Sequence, residues 1–195
     1  MTPAEFNAAF PSAWWRYKFI AASGATNSGD QYEWNMGQAG MFNEVTFVNT
    51  PNTIEYIKLN FDRNEEGIQW ATSLFSMPFN WKFSSGIKIR QYWASGTTSF
   101  GNIDWEVSVR SIGDGETMRF NQTYTNNNDA ATVVDSIMIT DELTYTPYTD
   151  GSALAVNDMF QIMIRRGNND ANVPNLIYYV GMRIAWEIDA TLAVP

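Results

Sequence analysis

Asp158-Met-Phe-Gln-Ile-Met-Ile-Arg-Arg, then Gly167-Asn-Asn-Asp-Ala-Asn-Val-Pro-Asn, then Leu176-Ile-Tyr-Tyr-Val-Gly-Met-Arg-Ile-Ala-Trp-Glu-Ile is the stretch that decides the fold. Phe160, Ile162 and Ile164 share one phase of a period-two pattern in the first flank, and Tyr178, Val180, Met182, Ile184 and Trp186 share one phase in the second. Alternation of this kind predicts two half-buried strands, and the Gly, Asn, Asp and Pro between them predict a loop.

The same alternation recurs upstream. Ile57, Leu59 and Phe61 alternate with Lys58, Asn60 and Asp62; Ile87 and Ile89 with Lys88 and Arg90; Ile103, Trp105, Val107 and Val109 with Asp104, Glu106, Ser108 and Arg110. With Leu74 to Phe79, Met118 to Tyr124, Val133 to Leu143 and the final pair, the count is about eight strands. Turn-forming stretches lie between them: Asp62-Arg-Asn-Glu-Glu-Gly, Ser95-Gly-Thr-Thr-Ser-Phe-Gly-Asn, Gly113-Asp-Gly-Glu, Asn126-Asn-Asn-Asp and Asp150-Gly-Ser. The expectation is an all-β chain, an antiparallel β-sandwich of jelly-roll type over residues 51–195, because that arrangement buries one face of each strand and limits open edges.

Residues 1–50 read as an N-terminal arm, partly irregular. Pro3-Ala-Glu-Phe-Asn-Ala-Ala-Phe fits one helical turn stopped by Pro11, and Ala13-Trp-Trp-Arg-Tyr-Lys-Phe-Ile fits a strand with Trp15, Tyr17 and Phe19 on one side. Ser23-Gly-Ala-Thr-Asn-Ser-Gly-Asp then breaks any regular element.

Composition removes whole classes of chemistry. The 195 residues contain no histidine and no cysteine, which excludes Ser-His-Asp and Cys-His machinery, imidazole bases, thiolate metal sites and disulfides from this chain. We therefore expect no catalytic residues, no metal site and no cofactor. Twelve basic against 21 acidic side chains give a formal charge of -9, which repels a phosphate backbone, so nucleic acid is not an expected partner. Asp62, Asn64, Glu66 and Gly67 imitate the start of a calcium loop, yet Ser73 stands where its bidentate carboxylate belongs. The Arg165-Arg166 pair, with Arg183, is read as strand-end solvation or pairing with Asp158 and Glu187. No apolar run approaches the roughly 20 residues of a membrane helix, and Met1-Thr-Pro-Ala-Glu lacks the basic start of a signal peptide; no membrane partner is expected.

Aromatic content is high, at 15%. Trp93, Trp105 and Trp186 fall in phase with apolar neighbours and are expected in the core. Trp14, Trp15, Trp34 and Trp70 lie outside strong period-two runs and either cap the bottom of the sandwich or sit in a subunit interface, where aromatics are enriched; with Phe6 and Phe10 they are the interface candidates.

The C-terminal strand, loop and closing Gly-x-Arg-Ile-x-aromatic strand resemble the signature of a family of β-sandwich proteins in tailed-bacteriophage virions. The similarity extends through Leu74-Phe-Ser-Met-Pro, Ile87-Lys-Ile-Arg-Gln-Tyr-Trp and Ile103-Asp-Trp-Glu-Val-Ser-Val-Arg, roughly residues 70 to 189. The resemblance implies a virion structural protein made in the host cytoplasm. Its leading form is a capsid decoration or cement protein on the capsid surface, a homotrimer whose partner is the major capsid protein of the head shell. The alternative is the receptor-binding head of a tail fibre, recognising a host surface glycan. On the leading reading the arm grips the shell, and deleting residues 1–20 is expected to leave the sandwich soluble while abolishing binding.

Overall fold

The structure is a computed structural model. It describes residues 15–21, 35–36, 42–49, 52–62, 70–76, 81–95, 101–116, 123–130, 132, 136–147, 149, 154–155, 158–167 and 176–189. The strands are β1 (Trp15–Ala21), β2 (Asn35–Met36), β3 (Phe42–Asn49), β4 (Asn52–Asp62), β5 (Trp70–Ser76), β6 (Ile87–Ser95), β7 (Asn102–Ile112), β8 (Thr125–Ala130), β9 (Ile137–Ile139), β10 (Leu143–Tyr145), β11 (Met159–Arg166) and β12 (Leu176–Glu187). Phe83–Ser85 form a single 3-10 turn.

Two antiparallel sheets result. Sheet A runs β10-β6-β12-β4-β3, with β9 also on β6 and β1 also on β12; sheet B runs β2-β5-β11-β7-β8. Since β9 and β10 pair with successive parts of β6, they act as one interrupted strand. Counted that way, β4 to β12 are eight strands. Four of them, β4-β12-β6-β9/β10, make one sheet and the other four, β5-β11-β7-β8, make the facing one. The chain changes sheets at most steps, and the closing strand β12 lies between β4 and β6. This is a jelly roll, as the turn spacing predicts.

Strands from the first 50 residues extend that frame. β3 continues sheet A beyond β4, β2 continues sheet B beyond β5, and β1 takes the part of the β12 edge that β4 leaves free. β4 pairs with Leu176 to Tyr179 and β1 with Gly181 to Glu187. The segment expected as an arm therefore supplies edge strands to both sheets, and β1 contributes fully buried Ile20 to the core.

The core is the space between the sheets. Ile103, Trp105, Val107 and Val109 of β7 and Phe160, Ile162 and Ile164 of β11 face Ile87, Ile89 and Trp93 of β6 and Ile177, Tyr179, Met182 and Ile184 of β12. Trp105 meets Tyr179 at 5.2 Å and Trp93 at 6.3 Å between centroids, both in edge contacts, the geometry the ring quadrupoles favour. Trp186 is only partly buried and packs on the rim of this cluster. Trp81, which no periodicity marks, is 1% exposed; its indole N–H donates to the Gly86 carbonyl at 3.1 Å and its ring meets Phe160 at 4.9 Å. Gly86 has φ 67°, and a Cβ there would lie 2.8 Å from the Tyr145 carbonyl oxygen, so a side chain is excluded on both counts.

Three sequence expectations are corrected. The phase of β12 changes along its length: the register on β6 slips between Tyr179 and Gly181, so Ile177 and Tyr179 share the inward face with Met182 and Ile184, whereas Tyr178 points outward. A bulge, which adds one residue to one strand, inverts every side chain before it. Asn126-Asn-Asn-Asp is the middle of β8, not a loop tip, and pairs with β7. Asn127 explains why: its side-chain amide donates to Gln91 Oε1 at 2.8 Å, Thr140 Oγ1 at 3.1 Å and the Asp141 carbonyl at 3.0 Å, tying sheet B to sheet A. The single strand expected from Val133 to Leu143 is split at Thr140–Glu142, where Thr140 turns inward to join that network by donating to Gln91 Oε1 at 2.6 Å.

Candidate functional site: the outer face of sheet A

The two outer faces of the sandwich differ in how their side chains are occupied. On sheet B, Arg165 lies directly opposite Glu106 in the β11–β7 register and forms an ion pair with it. Its guanidinium also covers the Tyr124 ring at 3.9 Å, and the Tyr124 hydroxyl donates to Met163 Sδ at 2.7 Å. Burial raises the Tyr124 hydroxyl pKa, against the lowering effect of Arg165. Ser108, Arg110, Gln161 and Met163 on this face are buried. Its exposed large apolar side chains among the described residues are Leu74 and Met159 alone.

The outer face of sheet A is open. Six large apolar side chains among the described residues are more than a third exposed, and four of them stand here: Tyr17 (58%), Phe19 (48%), Ile137 (55%) and Ile139 (49%). They come from β1 at one side and β9 at the other, with β12 and β6 between. In register, Tyr17 is opposite Ala185 and then Lys88; Phe19 is opposite Arg183 and then Arg90; Ala21 is opposite Gly181, Tyr92 and Ile139. Small residues alternate with large ones across these rows. Gly181 carries no side chain, so Phe19 of β1 and Tyr92 of β6 reach over β12 and meet edge to face at 5.2 Å between centroids.

Cations thread this apolar surface. The Arg183 guanidinium sits 4.9 Å from the Tyr17 ring centroid and donates to Glu142 Oε2 at 2.5 Å. The other oxygen of Glu142 lies 3.8 Å from Lys88 Nζ. Lys82 pairs with Glu187 at 2.6 Å. Arg183 is thus paired with Glu142 and Arg165 with Glu106, not with the expected Asp158 and Glu187. Neighbours across the sheet decide these pairs, while Asp158 instead accepts from the Ser111 hydroxyl at 2.7 Å and the Ala155 N–H at 2.9 Å.

Of the interface candidates, Phe6, Phe10, Trp14 and Trp34 lie outside the described residues. Trp15 opens β1, where its backbone is opposite Glu187, and Trp70 opens β5. Tyr17, Phe19, Tyr92, Ile137 and Ile139 were not singled out from sequence. The signal was present for β1, whose alternating rings were legible, but its pairing with β12 was not. Much of the calcium-like stretch, residues 63–69, also lies outside the described residues; among the described residues no group of three or more acidic side chains is placed to hold a metal ion.

A cleft of about 550 Å³ opens at the sandwich edge where β8 stops pairing with β7. Val107, Val109, Thr125, Thr144, Tyr145 and Thr146 are among the residues that line it. No charged side chain lines it among the described residues.

No family model and no curated protein sequence matches the chain. Among solved structures, it is similar to the CBM22-1 xylan-binding domain from Paenibacillus barcinonensis, at 11% identity and a TM-score of 0.45, over 91% of this chain and 97% of that one. It is similar to a family 11 carbohydrate-binding module from Clostridium thermocellum in complex with a mixed-linked tetrasaccharide, at 14% identity and a TM-score of 0.40, over 89% and 96% of the two chains. It also matches Arthrobacter globiformis T6 isomalto-dextranase complexed with panose, at 13% identity and a TM-score of 0.44; there, 86% of this chain spans 23% of the other.

Proposed function

We propose that this chain is a non-catalytic structural protein of a bacteriophage virion, a capsid decoration or cement protein that docks on the major capsid protein through the outer face of sheet A. The observation that carries this reading is the gathering of Tyr17, Phe19, Ile137 and Ile139, exposed, on one open face together with Tyr92, Arg90 and Arg183. Aromatic side chains and arginine are the types enriched in protein interfaces, and aliphatic side chains add apolar area that a protein partner buries well. The virion setting and the trimer come from the family resemblance of residues 70 to 189. Cosedimentation with emptied phage heads tests the reading: saturable binding near one trimer per lattice three-fold is expected, and loss of that binding in Tyr17→Ala/Phe19→Ala.

A second reading, the receptor-binding head of a tail fibre, is favoured by one feature. Tyr17 and Phe19 project from the same side of one strand, roughly 7 Å apart by strand geometry, which suits rings stacking on successive sugars. Uptake by intact host cells, without binding to heads, selects it.

A further inference from the structure

Arg90 occupies the centre of the outer face of sheet A, directly opposite Arg183 and two residues from both Lys88 and Tyr92. Like charges opposite each other in a sheet repel, and the fold relieves that only for the neighbours. Glu142 sends one oxygen to Arg183 and the other towards Lys88; Arg165, Lys82 and Lys88 likewise have carboxylates within ion-pair distance. Arg90 has none among the described residues, in a chain carrying nine more acidic than basic side chains. Its Nε is buried without an acceptor. Its terminal nitrogens donate to no acceptor among the described residues, and the side chain is half-buried. Lys88, Arg90 and Arg183 against Glu142 leave a local surplus of two positive charges, ringed by Phe19, Tyr92 and Ile139.

We infer that Arg90 is the carboxylate-receiving residue of this face: an Asp or Glu side chain of the protein partner seats bidentately on its guanidinium, while the surrounding rings bury the partner's apolar atoms. The inference rests on the docking reading above and names the chemistry of the docked surface as acidic. Planar guanidinium and planar carboxylate match in geometry, and a pair enclosed by apolar side chains is screened less by salt than an exposed one. The opposite charge on the partner also explains how a chain of net charge -9 binds without general repulsion: the contact is made on its locally cationic face.

The test uses the intact 15N-labelled protein and the arginine Nε–Hε resonances, with triglutamate peptide as the probe and sodium chloride as the ionic-strength control. A saturable shift of the Arg90 signal with triglutamate, absent with chloride and larger than the shift of Arg183, is expected. In Arg90→Gln the accompanying shifts at Phe19 and Tyr92 should vanish while the rest of the spectrum keeps its native dispersion. Equal drift of every arginine signal with both solutes, or no movement at Arg90, overturns the inference. A shift with glucuronate but none with triglutamate overturns it too, in favour of an acidic glycan. If Tyr17→Ala/Phe19→Ala abolishes binding to heads but Arg90→Gln binds as tightly as the native chain, the docking face stands and the role of Arg90 fails alone.

Discussion

The rings of Phe19 and Tyr92 meet at 5.2 Å although β12 runs between their strands. The contact exists because Gly181 leaves the intervening position empty, and it joins β1 to β6 into one continuous apolar surface. Gly181→Val places a branched side chain in that gap and forces the two rings apart. With Gly181 at φ 156° and buried, we expect a loss of roughly 1–3 kcal/mol in urea unfolding, together with weakened docking.

Asn127 and Asn128 are adjacent in β8, one buried and hydrogen-bonded across the sandwich, the other exposed. Asn127→Ala leaves Gln91 and Thr140 short of a partner in the interior and should cost about 2–3 kcal/mol, the penalty for unsatisfied buried polar groups. Asn128→Ala should stay within about 0.5 kcal/mol. Comparable effects from the two variants in denaturant titrations would contradict the placement of this segment as a strand.

Burial pushes the Tyr145 hydroxyl up to about 12 and holds Tyr179 well above the ordinary tyrosine value. A raised folded-state pKa contributes stability that is complete below the unfolded value near 10 and is lost as pH rises through the folded value. Between pH 10 and 12 the native chain should therefore lose roughly 2–3 kcal/mol through Tyr145 alone, and Tyr145→Phe should lose correspondingly less. Unfolding curves at pH 9, 10.5 and 12 check this; an identical slope for both chains refutes it.

Asp129 accepts from the Trp93 indole N–H at 2.7 Å, yet desolvation dominates and raises its carboxyl pKa. Its contribution runs in the same direction as that of Tyr145: it is most favourable when the group is protonated and declines as pH rises through the folded value. Asp129→Asn removes that dependence, so the stability of the native chain relative to this variant should improve between pH 7 and pH 4. A difference that is constant with pH, measured by thermal unfolding, would show that the carboxylate is not desolvated.

Removal of residues 1–20 takes away most of β1 and with it fully buried Ile20, and uncovers the edge of β12 from Gly181 to Glu187. The sequence reading expected this deletion to leave the sandwich soluble. The fold predicts the reverse for a cut at residue 20, since an exposed central-strand edge invites aggregation, whereas a cut before Trp15 retains every described strand. Soluble yield of the two truncations separates these outcomes.

The jelly roll was readable because the central strands of sheet B place Ile, Val, Phe or Trp at every second position, so the inward set of β7, Ile103 to Val109, and that of β11, Phe160 to Ile164, could be named outright. Three things were hidden. The bulge before Gly181 reverses the phase of Ile177 and Tyr179, and period-two counting cannot see an inserted residue. Asn127 is polar yet internal because its partners Gln91 and Thr140 are 36 and 13 residues away, a distance over which sequence gives no register. The outer face of sheet A combines β1, β6, β9 and β12, four segments far apart in the chain, and only their pairing brings Tyr17, Phe19, Tyr92, Ile137 and Ile139 together.

Hydroxyl-radical footprinting of the protein free and bound to phage heads tests the role of the sheet A face most directly. The account predicts strong protection of Tyr17, Phe19, Tyr92, Ile137 and Ile139 on binding, with Leu74 and Met159 on the outer face of sheet B oxidised as readily as in the free protein. Protection of Leu74 and Met159 with the sheet A residues left reactive would contradict it.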